Sequence, residues 1–399
     1  MNRSLFVIMC VVALDAIGIG LIFPILPQLL RELTGSGEIS TLYGVILAAY
    51  AAMQFLFSPI LGLISDRIGR RPVLILSLAG AAIDYLIMAF TPVLWVLVVG
   101  RIIAGITSAS MSVAGAYIAD ISEEKDRAQR FSWMSAAFGV GFIIGPVLGG
   151  LVSMYFIRAP FLVAAVLNGL NLILALTVLK EGRKPSGERL DLKALNPFGP
   201  LKWAFSFSAL VPLIALFLIF ALNGDIPGTV WVLYGTEKFA WDSLTLGLSL
   251  AMFGLCHALA QAFIAGPLTK AIGDRWTIVV GIVTDMVAFV GIAFATQGWM
   301  AFALAPLFAG GGVGLPALQS LMSAQAGEDR QGELQGVLAS AQSLTSIIGP
   351  LIGTTVFFYS KPHFIGAVWL VGAVLYLVAI PVLSRLFRQG RASAVAASV

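Results

Sequence analysis

The sequence predicts an all-α membrane protein in which twelve transmembrane helices form two related halves of six. The chain has 399 residues, of which 59% are hydrophobic and only 11% are charged, against roughly 25% charged residues in soluble proteins. Its mean hydropathy is +0.96. Apolar runs of about 20 residues, the length that crosses a hydrocarbon layer about 30 Å thick, recur along the whole chain. Motifs of the first half also return in the second half.

The individual spans follow the apolar runs between turn and charge signals. The first run contains Asp15 and is too long for the hydrophobic core of a secretory signal, which has about 7–15 residues. We therefore predict it to be a membrane span. In chain order the predicted spans cover residues 5–30, 40–64, 73–91, 95–119, 131–153, 160–179, 208–234, 243–270, 276–296, 298–323, 331–358 and 363–387.

The basic residues predict the orientation. With both termini in the cytoplasm, most of the 24 Lys and Arg residues lie in cytoplasmic segments, as the positive-inside rule requires. The exceptions are Arg31, Arg158, Lys238 and Lys361 on the outer side and Arg101 within a span. The net charge of +4 is thus explained by topology in a lipid bilayer, and its scattered distribution argues against nucleic-acid binding.

A polar segment divides the chain into two halves. Residues 181–197 have the charge, Gly and Pro content of a linker, which predicts an amino-terminal half at 1–180, a linker at 181–203 and a carboxy-terminal half at 204–399. The motif at 144–149 returns at 348–353, an offset of 204 residues, and Gly69 matches Gly273 at the same offset. Two parallel six-helix halves are expected of major-facilitator transporters, whose substrate site lies near the midplane.

The loop between spans two and three resembles the loop signature of the major facilitator superfamily in nearly every position. Its residues are Gly62, Ser65, Asp66, Arg67, Gly69, Arg70, Arg71 and Pro72. We expect Gly62 to allow close helix approach and Asp66 to lie near the start of span three, where the helix dipole favours a carboxylate. We hypothesise that Asp120 and Arg127 join this loop in a charge network that latches the cytoplasmic side shut.

For the outer charges of this region, such as Glu123 and Lys125, simple positive-inside placement is the preferred interpretation, because exposed ion pairs contribute only about 0–1 kcal/mol. Span five is similar to the Gly-Pro signature of proton-antiporting members, although Ser132 stands where that signature usually begins with glycine. Its glycines are equally explained by helix packing.

Ionisable residues inside the spans are candidates for function, since each charged one costs at least about 2.5 kcal/mol near the bilayer centre. At 1.5 Å per residue, Asp15 lies about 15 Å and Asp285 about 14 Å from the ends of their spans, near the midplane. An intramembrane carboxylate can hold either a proton or a cationic substrate, which is the chemistry of antiport. Asp285 has no basic residue in its own span and is the foremost candidate for the exchanging site.

Asp84 and Arg101 lie at similar depths on neighbouring spans, so a structural ion pair and a direct role for Asp84 in coupling remain equal alternatives. His257 lies in mid-span eight with Gln261 one turn away on the same face, and its reference pKa near 6.5 suits proton handling. A merely packed histidine is the alternative.

Several longer motifs resemble the tetracycline/proton antiporters of Gram-negative bacteria almost end to end. These are residues 14–27, 78–85, 100–107, 114–120, 241–242 and 298–300, together with 315–319. The resemblance implies export of a divalent-metal-tetracycline monocation across the bacterial inner membrane in exchange for a proton. It implies transport roles for Asp15, Asp84 and Asp285, proton coupling at His257, a place for Gln54 on the substrate path, and a gate containing Ser65, Asp66 and Arg70.

The resemblance also implies which ions and partners the chain requires. No bound cofactor is expected: protons are the coupling ion, and magnesium or a similar divalent ion arrives with the drug. A monomer can suffice. The family usually has Gln where this chain has Asp225, and Ser108, Ser110 and Ser112 replace a more Gly/Thr-containing stretch. Asp225 is either an added coupling site or a hydrogen-bonded or water-facing residue.

A broader multidrug/proton antiporter is the alternative function. A membrane-embedded enzyme or sensor is a remote one, because no nucleophile-base pair, metal cluster or phosphate-binding motif is present in the sequence.

Overall fold

The computed structural model describes residues 3–108, 110–181, 210–327 and 330–396. Apart from Glu181, the predicted linker at 181–203 lies outside these ranges. The helices are α1 (Arg3–Ile22), α2 (Leu26–Thr34), α3 (Ser40–Ile68), α4 (Arg70–Phe90), α5 (Leu94–Thr107), α6 (Ser110–Asp120), α7 (Glu124–Ser153) and α8 (Ala159–Thr177). They continue as α9 (Val211–Phe239), α10 (Ser243–Leu259), a π-helical turn (Ala260–Ala265), α11 (Gly266–Ala293), α12 (Gly298–Gly311), α13 (Gly314–Ala326), α14 (Gln331–Ser360) and α15 (Ala367–Ala396).

Within the described ranges, 11 helical segments are long and apolar enough to cross a membrane. The longest, Ser243–Ala293, has 51 residues and joins two of the predicted spans. Gly273 divides it, because its φ of 79° and ψ of 161° are not helical. The chain is therefore a multi-pass membrane protein, and the all-α fold with twelve spans is confirmed.

The backbone at two glycines supports the internal repeat. Gly69, which ends α3, has φ 105° and ψ 157°, close to the values at Gly273. A positive φ of this size is readily adopted only by glycine. The two positions are 204 residues apart, so the sequence repeat is also a repeat of backbone conformation.

Two spans predicted as continuous helices are interrupted. In span four, α5 ends at Thr107 and α6 begins at Ser110. Between them, Ser108 has a non-helical ψ of 81°. In span ten, Gly312 and Val313 form a turn between α12 and α13, with the Val313 amide donating to the Gly310 carbonyl at 3.2 Å. Ser108 and Gly312 are also 204 residues apart, so both halves interrupt the same span at the same point.

The chain forms two compact units, the first of residues 1–197 and 235–254 and the second of residues 198–234 and 255–399. In the first unit, α1 packs chiefly against α7 and α8, and α4 against α8. Its core is aliphatic, with Ile8, Leu74 and Ile118 fully buried. Large apolar side chains such as Ile83 and Val166 remain exposed, as lipid-facing residues of a spanning helix do.

The second unit has an aromatic core around α11 and α15. Trp369 is buried and makes edge contacts with Trp231 at 5.6 Å and with Tyr234 at 5.2 Å between ring centroids. Phe289 stacks on Tyr376 at 6.2 Å. Such ring pairs add about 0.5–1.5 kcal/mol each beyond their buried area, and they fix the position of the Tyr376 hydroxyl.

Candidate functional site

The buried carboxylate of Asp15 lies in the middle of α1, in the first unit. Its Oδ2 accepts a hydrogen bond of 2.5 Å from the Ser110 hydroxyl, which stands at the first residue of α6. The interruption of span four thus brings a hydroxyl to the carboxylate. Ser110 was noted in the sequence as a departure from the family, but its contact with Asp15 was not predicted.

Asp84 and Arg101 form the ion pair that their similar depths predicted. The guanidinium engages both carboxylate oxygens, with Nε donating to Oδ1 at 3.2 Å. The Asp84 side chain is only 2% exposed. The ion pair is therefore confirmed, and a coupling role for Asp84 stays a prediction.

A tyrosine extends this polar cluster to the substrate-path candidate Gln54. The Arg101 guanidinium lies 5.2 Å from the centroid of the Tyr50 ring, and the Tyr50 hydroxyl is 2.8 Å from the Ser108 hydroxyl. Gln54 Nε2 donates to the same serine at 3.2 Å. Tyr50 was missed because a tyrosine in a membrane helix carries no distinctive sequence signal.

Asp285 lies on α11 in the second unit. Its Oδ2 accepts a 2.7 Å hydrogen bond from the hydroxyl of Tyr376 on α15. The tyrosine side chain is fully buried among aromatic rings. Among the described residues, this carboxylate is thus hydrogen-bonded to a neutral phenol and forms no ion pair with a basic side chain, which leaves its negative charge available to a cation. Tyr376 was also missed by the sequence analysis.

His257 and Gln261 both contact Gly312 at the interruption of span ten, which agrees with their predicted place on one helix face. Gln261 Nε2 donates to the Gly312 carbonyl at 2.9 Å. The His257 imidazole lies against the same glycine, where Nδ1 is 2.8 Å from the place a Cβ would occupy. The π-helical turn at Ala260–Ala265 holds Gln261 at this position.

Asp225 accepts hydrogen bonds from α14. Gln342 Nε2 lies 3.3 Å from Oδ2, and the Ser346 hydroxyl lies 3.3 Å from Oδ1. These contacts agree with the hydrogen-bonded alternative for this residue. Whether Asp225 takes part in coupling stays a prediction.

Arg70 is the centre of the charge cluster at the loop between spans two and three. Its side chain is buried and donates to Ser65 Oγ at 2.6 Å. It also pairs with Asp66 at 2.5 Å and with Asp120 at 2.9 Å. The network predicted between the first loop and Asp120 is therefore present.

Arg127 does not reach this network. Its guanidinium, on the first turn of α7, donates to the Ala119 carbonyl at 3.5 Å. Arg71 instead donates to the Leu176 carbonyl at 2.5 Å, and Arg67 is exposed. The predicted inclusion of Arg127 in the charge network is corrected by this geometry.

Two further expectations for this loop are wrong. Asp66 lies in the last turn of α3, since that helix continues to Ile68, so the dipole at the start of span three does not explain it. At Gly62, no atom of the described residues outside its own stretch of helix lies within 4 Å of the place a Cβ would occupy. Gly62 borders a cleft of about 350 Å³ in the first unit, lined also by Ser58, Pro59, Ser65, Asp66, Arg70, Ser112, Val113 and Ala116.

Glu181, assigned to the linker by the sequence, contacts this loop. Its carboxylate accepts the backbone amides of Arg70 at 2.7 Å and of Arg71 at 3.3 Å. The first amides of a helix have no acceptor within the helix, and a negative charge is favoured beside them. Glu181 supplies both the acceptor and the charge at the start of α4. Its position at the edge of the linker gave no sign of this contact.

The Gly-Pro signature of span five is a packing surface. A Cβ at Gly145 would lie 2.7 Å from the Ile17 carbonyl oxygen of α1. A Cβ at Gly150 would lie 2.5 Å from the Ser243 carbonyl oxygen. Helix packing, the alternative given for these glycines, accounts for their positions.

The sequence matches a model of the Major Facilitator Superfamily over residues 8–232 and 213–397. The tetracycline resistance protein, class C, of Escherichia coli is 52% identical over 384 residues, covering 96% of this chain and 97% of that protein. The class G protein of Vibrio anguillarum is 46% identical, covering 97% and 98%. The quinolone resistance protein NorA of Staphylococcus aureus is 28% identical, covering 90% of each chain.

Among solved structures, the nucleoside transporter NupG has the same fold. The TM-score is 0.76 at 13% identity, covering 97% of this chain and all of that chain. These matches exclude the remote alternative of a membrane-embedded enzyme, because the superfamily consists of transporters. The chain belongs to the Major Facilitator Superfamily and, within it, to the family of the tetracycline resistance proteins.

Proposed function

We propose that the chain exports tetracycline from the cytoplasm in exchange for protons and thereby confers resistance to the drug. One observation carries the proposal: 52% identity to a tetracycline resistance protein extends over 96% of the chain. It therefore includes the membrane helices that hold Asp15, Asp84 and Asp285.

The polar groups of the two units suit this exchange. Asp285 has a neutral hydrogen-bond partner, so its carboxylate can accept a proton in one state and attract a drug cation in another. Asp15 has a hydroxyl partner in the first unit and offers a second carboxylate of the same kind. Asp84 is already paired with Arg101 and is a weaker candidate for direct exchange.

The divalent ion belongs to the substrate in this proposal. Among the described residues, no group of three or more His, Cys, Asp or Glu side chains is placed to hold a metal ion. Magnesium or a similar ion would travel as a complex with the oxygen-rich drug, and the complex would carry the positive charge. Carboxylates, amides such as Gln54 and Gln261, and apolar walls are what such a flat cationic ligand requires.

The proposed location is the bacterial inner membrane, with both termini in the cytoplasm. The distribution of Lys and Arg supports that orientation. Reporter fusions at the two termini test it: an active periplasmic reporter at either end would contradict the topology.

Drug uptake into inverted membrane vesicles tests the proposed function. With an imposed pH gradient, we expect the parent chain to accumulate tetracycline in the presence of Mg²⁺, and Asp285→Asn to lose accumulation. Asp242→Asn is the matched control, because it removes a carboxylate from an outer loop while keeping a capping side chain. Uptake by the parent that does not depend on the pH gradient would contradict proton antiport. Normal uptake by Asp285→Asn would contradict the assigned site.

A broader drug antiporter is the second candidate, favoured by the 28% identity to NorA. The same vesicles distinguish the two functions. Accumulation of a quinolone or of several unrelated cationic dyes, without accumulation of tetracycline, would favour the second candidate.

A further inference from the structure

The interruption of span ten lies against three of the candidate site residues of the second unit. It consists of Gly312 and Val313, and it follows directly on Gly310 and Gly311, the last two residues of α12. From the sequence alone, a glycine run in an apolar span indicates close helix packing, and the proposed function does not use these glycines.

The Asp285 carboxylate lies directly against Gly311. A Cβ added to Gly311 would overlap Oδ1 and Cγ of Asp285 and would lie 2.5 Å from Oδ2. Cβ atoms essentially never approach other heavy atoms this closely. Only glycine at position 311 therefore lets the carboxylate occupy its place beside the Tyr376 hydroxyl.

The His257 imidazole lies against the next residue. A Cβ at Gly312 would overlap Cε1 of the ring and would lie 2.8 Å from Nδ1. Gln261, on the same helix face as His257, donates to the carbonyl of this same glycine. Two consecutive glycines, the last residue of α12 and the first residue of the interruption, thus contact a carboxylate from α11 and an imidazole from α10.

The helices leave little freedom for the interruption to move alone. A Cβ at Gly281, one turn before Asp285, would lie 2.9 Å from both the Gly311 carbonyl oxygen and the Gly314 amide nitrogen. The backbone of α11 and the interruption are therefore in direct contact. Gly310 differs from its neighbours, since its Cβ would meet Thr284 at the ordinary distances of 3.6–3.8 Å.

We propose that Gly311 and Gly312 are positioning residues, which hold the Asp285 carboxylate and the His257 imidazole against one interruption of span ten so that its movement displaces both groups together. This inference rests on the proposed function, in which Asp285 exchanges protons for drug. It adds that span ten is the element through which the carboxylate and the imidazole are moved in the same step.

Alanine substitutions along the glycine run separate positioning from helix stiffening. Each change of Gly to Ala removes the same backbone freedom, but only positions 311 and 312 place a methyl group against a candidate site residue. In inverted vesicles we expect Gly311→Ala and Gly312→Ala to lower the initial rate of gradient-driven tetracycline uptake by about 10- to 100-fold, and Gly310→Ala to stay within about twofold of the parent. Equal losses in all three variants, or none, would overturn the proposal.

A spectroscopic measurement tests the position of the imidazole without transport. The chain has only 2 histidines, so His363→Gln in the exposed outer turn leaves His257 as a single reporter in ¹⁵N-histidine-labelled protein. We expect Gly312→Ala to shift the imidazole ¹⁵N signals at fixed pH and Gly310→Ala to leave them in place. Identical spectra of these two variants would overturn the proposal.

The two measurements also separate this inference from the proposed function. If the parent chain does not accumulate tetracycline, the proposed function fails, while the histidine spectra still decide whether Gly312 positions the ring. Immunoblots of the membranes establish that variants are compared at equal amounts. Should Gly311→Ala not accumulate in the membrane, Gly312→Ala and its spectrum decide the outcome.

Discussion

The guanidinium of Arg101 pairs with both carboxylate oxygens of Asp84, joining α5 to α4 inside the membrane-spanning part of the first unit. Removing one partner of a buried pair leaves an uncompensated charge and costs about 3–5 kcal/mol. We expect Asp84→Asn to lower the free energy of unfolding by that amount, and the double variant Asp84→Asn/Arg101→Gln to recover most of it. Thermal unfolding in detergent measures both.

Transport by the same double variant decides between the two roles that the sequence left open for Asp84. Because Asp84 is already neutralised by Arg101, we expect uptake into vesicles to recover along with stability. A double variant that is stable but inactive would instead assign Asp84 a direct part in coupling. Arg101→Gln alone serves as the control for loss of the cation.

The hydrogen bond from Tyr376 to Asp285 predicts a second effect. Tyr376→Phe removes the hydroxyl but retains the ring that packs on Phe289 and Phe220. We expect the maximal rate of tetracycline uptake to fall several-fold while the thermal midpoint changes little, since a lost neutral hydrogen bond costs only about 0.5–1.5 kcal/mol. An unchanged rate would show that the phenol does not orient the carboxylate.

The charge cluster around Arg70 predicts that the geometry of this side chain matters as well as its charge. One guanidinium contacts Ser65, Asp66 and Asp120 through different nitrogens, and a lysine ammonium cannot reproduce that fork. We therefore expect Arg70→Lys to lose most drug uptake, as does Asp66→Asn if the cluster acts as a latch. Normal uptake by Asp66→Asn would contradict the latch.

The matched control for this cluster is an exposed position in the same loop. Arg67 lies outside the network, so Arg67→Lys should transport like the parent. Equal losses at positions 67 and 70 would point to charge at the inner leaflet, and not to the cluster, as the requirement.

The fold was largely predictable from the sequence, because each membrane span must form its backbone hydrogen bonds within its own helix and must be apolar over a fixed length. The 204-residue repeat was predictable for a different reason: Gly69 and Gly273 share a backbone conformation that other residues avoid. The same glycine pattern did not reveal the breaks of spans four and ten, since residues in both breaks are apolar or small and interrupt no hydropathy signal.

The candidate site was predictable wherever a charge inside a span had to be explained. Asp84 and Arg101 could be paired from depth alone, but the partners Ser110, Tyr50 and Tyr376 could not. Placing a hydroxyl group in a membrane helix costs much less free energy than placing a charge there. A serine or tyrosine in a span therefore does not by itself indicate a contact. Glu181 was missed for a different reason. A charged residue is expected in a polar linker, so the sequence gave no indication that its carboxylate contacts the amides of α4.

The loop before α10 predicts a pH-dependent contribution to stability. Asp242 precedes the first residue of α10 and accepts the Thr245 amide at 2.8 Å, and the hydrogen bonds with Thr245 lower the pKa of its carboxyl group. A lowered pKa in the folded state means that the contribution is present above the unfolded pKa and is lost as the pH falls through the folded value. We expect Asp242→Ala to cost about 0.5–2 kcal/mol at neutral pH, as loss of an N-cap does.

Asp242→Asn separates capping from charge in that experiment. Asparagine retains the capping oxygen, so its thermal midpoint should stay near that of the parent at neutral pH and should lack the parent's decline as the pH is lowered. A midpoint for Asp242→Ala equal to that of the parent would contradict the cap.

Asp225, the carboxylate on α9, provides the last prediction. It is held by Gln342 and Ser346 of α14, which fits a polar link between α9 and α14. An amide at position 225 can keep both contacts, because its carbonyl oxygen can accept from Gln342 while its NH2 group donates to the Ser346 hydroxyl. We therefore expect Asp225→Asn to transport tetracycline at nearly the parental rate, in contrast to Asp285→Asn. The number of protons moved per drug molecule, measured in vesicles from the pH change on drug addition, should also stay constant. A lower proton count in Asp225→Asn would instead make Asp225 a second coupling carboxylate of this chain.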